Sequence, residues 1–172
     1  CAKHWSNIYE RPWFCGGSMW VWADYSAKGT YRTRGCVDDA RVPNDSYRFF
    51  RSQWNSGPMT HICGHWSWNV PIGEIRDVVV FSNGDNVELF LNGRNLGPGA
   101  STTQEYPGLP HPQRLWRVPW EPGELKAVGI HDSGRSCDFR MTEGMPARVL
   151  LRSENTTFAA DGRDACFLDA VI

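Results

Sequence analysis

Nine tryptophans stand in a chain of 172 residues. An indole is large and carries one polar N–H, so it either packs a core or stacks on a ligand. Sugars offer flat C–H faces to such rings, and handling them is the chemistry this excess first suggests. Most of the nine are expected in the core. His61, Cys63 and His65 alternate along the chain, and on a strand alternate side chains share a face. Three such ligands are the start of a zinc site. A fourth is not evident, so no metal is assigned. Six cysteines, an even number, invite a disulfide framework. The chain is too long for a disulfide-stapled miniprotein, and four of the six sit beside apolar residues. Free, mostly buried thiols are therefore expected. Asn44-Asp45-Ser46 and Asn155-Thr156-Thr157 fit the glycosylation pattern and are read as chance.

The charge balance removes other classes. The formal net charge is −1, and the 18 Lys and Arg are scattered. Arg32, Arg34 and Arg41 are the densest local group. A nucleic-acid partner needs a clustered basic face, so none is expected. No apolar run approaches the roughly 20 residues that span a bilayer, so no membrane partner is expected either. Cys1 to Tyr9 lacks the basic start and apolar stretch of a signal peptide. The chain does not open on Met, and it is expected to begin inside a longer protein. The missing signal then says nothing about export, and a periplasmic or extracellular setting is favoured over a cytoplasmic one.

The elements that must position these residues fall into three regions. Cys1 to Tyr9 reads as a helix end, stopped near Arg11-Pro12. Gly16-Gly17 opens an apolar run, Ser18 to Ala23, with the character of a buried parallel strand. Ser26 to Pro43 reads as a polar loop. Asn44 or Asp45 caps a helix from Ser46 to Trp54, with Tyr47, Phe50 and Trp54 on one stripe. Helix, strand, loop, helix is the rhythm of an α/β barrel. Region two, 58–146, reads as all-β. Strands are expected at His61–Trp68, Val78–Ser82, Val87–Leu91, Arg94–Leu96, Leu115–Pro119, Leu125–His131 and Cys137–Thr142, with a hairpin turn at Asn92-Gly93. That pattern fits an immunoglobulin-like sandwich. Region three, from Ala147, offers strands at Val149–Arg152 and Cys166–Ile172 around a turn at Ala160-Asp161-Gly162. Two strands cannot bury a core, so a further domain is expected to start here.

Specific blocks carry a family resemblance. The run Gly16-Gly17-Ser18-Met19-Trp20-Val21-Trp22-Ala23-Asp24-Tyr25 resembles the last barrel strand of glycoside hydrolase family 2, the β-galactosidase and β-glucuronidase family. Gly35, Pro43 and Asp45-Ser46-Tyr47 through Trp54 resemble the loop and helix that follow it. His61 and His65-Trp66-Ser67-Trp68 resemble a His-Trp-Asn-Trp segment leading into the next domain. Val87-Glu88-Leu89-Phe90-Leu91-Asn92-Gly93 and Val118 through Ala127 are similar to that domain, and Ala160 through Asp164 resembles the opening of a further sandwich.

The resemblance implies a mainly β fold. An immunoglobulin-like sandwich (58–146) would follow the last strand and helix of a (β/α)8 barrel (1–57) and precede the first strands of another sandwich (147–172). It implies a fragment of a retaining β-glycosidase whose substrate is a carbohydrate of the β-galactoside or β-glucuronide class, with no cofactor, packed on the remainder of the barrel. Such enzymes need two carboxyl groups about 5 Å apart. Both belong to earlier barrel strands in this family, and Glu10, alone among residues 1–57, is not assigned that role. No catalytic residue is therefore expected in the chain.

Three residues are the implied substrate contacts. Trp20 matches the family Trp that points into the sugar pocket, at the barrel end where sites are built. Asp24 supports the pocket or caps the loop. Arg32-Thr33-Arg34 stands where β-glucuronidase-like members carry Asn-x-Lys for a uronate carboxylate, and the fork of Arg34 suits one. The alternatives are a free-standing carbohydrate-binding sandwich using Trp66, Trp68, Trp116 or Trp120, and a structural sandwich array.

Overall fold

A computed structural model describes residues 1–144, 147–153, 155, 157, 159–164, 166 and 168–171. The fold is mainly β, with strands over 38% of the described residues and helices over 11%. The chain divides into two compact units, Cys1–Thr142 and Glu143–Ile172.

The first unit is built on an immunoglobulin-like sandwich. Its strands are β3 (Thr60–Ile62), β4 (Ile75–Ser82), β5 (Asn86–Leu91), β6 (Arg94–Pro98), β7 (Ala100–Ser101), β8 (Arg114–Pro119), β9 (Glu124–His131) and β10 (Gly134–Met141). One sheet has the order β3-β4-β8-β7 and the other β10-β9-β5-β6, all antiparallel. Period-two alternation fills the space between them. Val78 and Val80 of β4 and Trp116 and Val118 of β8 meet Val87, Leu89 and Leu91 of β5 and Leu125 and Ala127 of β9. Each fully buried aliphatic side chain stabilises by about 1.5–3 kcal/mol. The β5–β6 hairpin turns on Asn92 (φ 50°) and Gly93 (φ 78°), the left-handed pair that a two-residue turn demands.

Two expectations are corrected here. The strand expected over His61–Trp68 stops at Ile62, because Gly64 (φ 72°) turns the chain and Trp66 drops into the core. The expected polar loop from Ser26 to Pro43 contains a short hairpin, β1 (Tyr25–Ala27) with β2 (Thr30–Arg32), closed by Lys28 and Gly29 at positive φ. Strands of three residues are too short for a period of two to be read from the sequence.

The helices α1 (Ala2–Tyr9) and α2 (Asp45–Trp54) form a second core with the outside of the sandwich. The expected stripe is present: Phe50 stacks on Trp54 at 4.9 Å, and Trp5 of α1 meets both edge-on at 5.5 and 5.3 Å. The neighbouring Phe49 packs on Phe81 of β4 at 5.6 Å. Gln53 pairs with the backbone of His111, donating to its carbonyl at 2.7 Å and accepting its N–H at 3.2 Å. Ser6 of α1 donates to the carbonyl of Pro107 at 2.6 Å.

In the second unit, β11 (Leu150–Ser153) pairs antiparallel with β12 (Leu168–Val171). The expected turn is there: Asp161 Oδ1 accepts the N–H groups of Arg163 and Asp164. The middle of the Asn155-Thr156-Thr157 pattern, part of the expected strand 166–172 and residues 145 and 146, just before the 146/147 boundary, lie outside the described residues.

Candidate functional site

The segment 20–24 is held by 35–37. Cys36 N–H and Val37 N–H donate to the Trp22 carbonyl at 2.8 and 3.0 Å, and Asp24 N–H donates to the Val37 carbonyl at 2.9 Å. Between residues 18 and 23 the only bridge among the described residues is the parallel one of Ala23 with Val37. Gly35 makes this approach possible. A Cβ there would lie 2.4 Å from both Asp24 N and Val37 O.

The buried Asp24 carboxylate is the clasp. Its Oδ1 accepts Gly35 N–H at 2.6 Å and its Oδ2 accepts Asn44 Nδ2 at 3.3 Å. The Gly35 carbonyl accepts Asn44 Nδ2 at 3.2 Å and Ser46 Oγ at 2.8 Å. Asn44, expected as a helix cap, is N-terminal to α2 but turns its side chain to this loop. No spacing rule in the sequence marks that role. Below the loop, Cys36 Sγ donates to Met19 Sδ at 3.1 Å, and burial pushes the Cys36 thiol up.

Trp20 is 79% exposed, and its peptide bond to Val21 is cis. Its indole lines a cleft of about 330 Å³ with Trp5, Ile8, Met19 and Phe50. Trp22, expected in a core, is 59% exposed beside a second cleft of about 340 Å³ with Cys36, Tyr47, Phe50 and Trp54. Its backbone is held by the 36–37 segment, while the ring itself stays largely open to solvent. Arg34 and Arg32 are exposed and form no ion pair among the described residues. The clasp brings Asp24 and the Arg34-Gly35 peptide together, four residues after Trp20 in the chain. Glu10 is the exposed residue that ends α1.

The other tryptophans sort differently. Trp66, Trp116 and Trp120 are buried in the sandwich core, their N–H groups donating to the carbonyls of Glu121, Gly97 and Trp66. Buried rings cannot present a face to a sugar. Trp68 is partly buried, with His65 on one side at 4.3 Å and the Arg76 guanidinium at 4.7 Å.

His65 therefore leaves the expected His61-Cys63-His65 set, and Asp45 of α2 joins His61 and Cys63 instead. His61 and Asp45 are already engaged in charge pairing. His61 Nε2 lies 2.8 Å from Asp45 Oδ1 and its Nδ1 lies 3.3 Å from Asp138 Oδ2. Arg140 donates to Asp138 at 3.0 Å and to the Ile62 carbonyl. Burial disfavours the His61 cation, but the two carboxylates outweigh it and the imidazole titrates above its ordinary value. Burial holds the Cys63 thiol far above the thiolate range, and the thiolate is the form that binds metal.

Residues 73–137 match a family described as a domain of unknown function, DUF4982. The chain is 30% identical to the β-galactosidase BoGH2A of Bacteroides ovatus, over 98% of this chain and 21% of that protein. It is 29% identical to a β-glucuronidase of Formosa agariphila, over 99% of this chain and 18% of that protein. The crystal structure of a β-glycosidase from Bacteroides vulgatus superposes with a TM-score of 0.76 at 28% identity, over 99% of this chain and 22% of that one. The chain thus spans about a fifth of the length of the curated relatives it matches.

Proposed function

We propose, for a chain that belongs with glycoside hydrolase family 2 over nearly its whole length, that it supplies part of the sugar pocket and the buttressing sandwich of an enzyme cleaving terminal β-glycosides. The observation that carries this reading is Trp20. A ring of that size left 79% exposed loses the hydrophobic stabilisation of burial. A stacked pyranose is a partner that restores it. Residues 1–57 are read as the end of a barrel, 58–146 as the sandwich and 147–172 as the start of another domain. The open faces of Trp13, Phe14, Trp22 and Trp54 are read as the surface that packs on the rest of the barrel.

Roles follow from the geometry of the clasp. Trp20 is the stacking platform. Arg34, charged and without an ion pair among the described residues, receives the carboxylate of a uronate-type sugar. Asp24, with both oxygens in use, supports the pocket by fixing the peptide that carries Arg34. The glutamate pair that breaks the bond is assigned outside this chain: the chemistry needs two carboxyl groups about 5 Å apart, and Glu10 is the one glutamate of residues 1–57. A stand-alone sugar-binding sandwich is disfavoured by the burial of Trp66, Trp116 and Trp120.

The test is hydrolysis of aryl β-galactosides and aryl β-glucuronides by the enzyme that contains this chain. Trp20→Ala is expected to lower kcat/KM on whichever substrate is cleaved, and Arg34→Gln to act on the glucuronide alone. Unchanged kinetics in Trp20→Ala would sink the pocket assignment.

A further inference from the structure

A cleft of about 330 Å³ runs between α2 and the β3–β10 edge of the sandwich, apart from the Trp20 cleft. Its lining includes Arg48, Arg51, Arg140, Thr60, Ser136 and Asp138. Three guanidiniums thus face one carboxylate. Arg140 is engaged with Asp138 and with the carbonyls of Ile62, Gly64 and Phe139. Thr60 and Ser136 hydrogen-bond to each other at 2.7 Å and to Ser82 and His131.

Arg48 and Arg51 are different. They stand one turn apart on α2, where side chains three positions apart are neighbours. Neither guanidinium has a hydrogen bond or ion pair among the described residues. Arg48 lies over the Tyr47 ring at 5.7 Å, a contact that leaves its N–H groups free to donate. Its Nε is buried with no acceptor among the described residues, an unsatisfied donor that costs stability. Two adjacent cations that form no ion pair among the described residues also repel. The missing component is an acceptor with negative charge.

We propose that this cleft binds an oxyanion group, a sulfate, phosphate or sugar carboxylate, through Arg48 and Arg51. Each guanidinium offers parallel N–H donors matched to paired oxygens. The cleft is at the small end of ligand sites, enough for an inorganic oxyanion or one acidic sugar ring. This site does not depend on the Trp20 reading.

The experiment is calorimetric titration of the full chain with sodium sulfate, sodium phosphate, glucuronate and, as the uncharged control, glucose, at constant ionic strength. Saturable heats are expected for anions and none for glucose. Preference for sulfate or phosphate identifies an inorganic group; preference for glucuronate identifies a sugar acid. The double substitution Arg48→Gln with Arg51→Gln is expected to weaken binding at least tenfold, while Arg117→Gln, on the exposed face of β8, leaves it unchanged. Binding that fails to saturate, or that survives the double substitution, overturns the proposal. If the double variant does not fold, the Arg48 Nε–H resonance of the unaltered chain decides: a saturable shift on adding sulfate supports the site, and a static resonance refutes it.

Discussion

The Nε2 atom of His61 lies 2.8 Å from Oδ1 of Asp45, joining the edge strand of the sandwich to the first turn of α2. On its other side His61 faces Asp138, which also accepts the Ile62 N–H. A neutral imidazole carries one N–H and can satisfy one of these carboxylates; the imidazolium satisfies both.

Stability should therefore depend on pH through this group. The folded pKa of His61 is raised, so its contribution is complete below the unfolded value of about 6.5 and lost as pH climbs through the folded value. Asp45 is lowered, chiefly by the His61 hydrogen bond. Asp138 is lowered too: burial opposes ionisation, but His61, Ile62 N–H and Arg140 outweigh it. Their contributions are complete above about pH 4 and lost as acid drives pH down through the folded values. The unfolding midpoint should thus be highest between about pH 4 and 6.5, and His61→Gln should flatten the alkaline side. Asp45 is half exposed, so solvent screening limits the effect to about 1 kcal/mol. A midpoint indifferent to pH from 5 to 8 would contradict this.

Gly35→Ala should cost about 1–3 kcal/mol, the range for forcing atoms into filled space. The contact is with backbone atoms of Asp24 and Val37 at 2.4 Å, which no rotamer change relieves. Denaturant unfolding of the variant measures the loss. A neutral result would mean that the 20–24 and 35–37 segments part at little cost.

Asp24→Asn tests the clasp more gently. An amide keeps an acceptor for Gly35 N–H but turns a donor toward Asn44 Nδ2. The expected cost is about 1–3 kcal/mol, with Asp24→Ala at the upper end. A loss in Asp24→Asn as large as that in Asp24→Ala would contradict the retained bond to Gly35 N–H.

Trp20→Ala and Trp66→Ala should separate sharply. Trp66 is 1% exposed and its loss should cost about 3–5 kcal/mol. Trp20, at 79% exposure, should change the unfolding free energy by less than about 0.5 kcal/mol. Equal losses would show that Trp20 is a packing residue.

The sandwich was legible because its signals are local. Val87, Leu89 and Leu91 alternate on one strand, and Asn92-Gly93 can close only one kind of turn. The site was legible only in part. Trp20 was picked out by the resemblance of residues 16–25 to the family's last barrel strand. The clasp did not, because Asp24, Gly35 and Asn44 meet through loop contacts that carry no periodicity. Asp45 joined His61 and Cys63 for the same reason: it arrives from a helix, while alternation along the chain had pointed to His65. Trp22 shows a further limit. An apolar run reads as buried whether or not the residues that cover it are near in sequence.

Gln53 grips the His111 peptide as a neighbouring strand would, taking its N–H and giving to its carbonyl. Because Phe49, one turn earlier on the same helix, is wedged against Phe81, α2 is anchored on the sandwich at separate points. The 102–113 loop is thereby fastened to the helix as well as to the strands at its two ends.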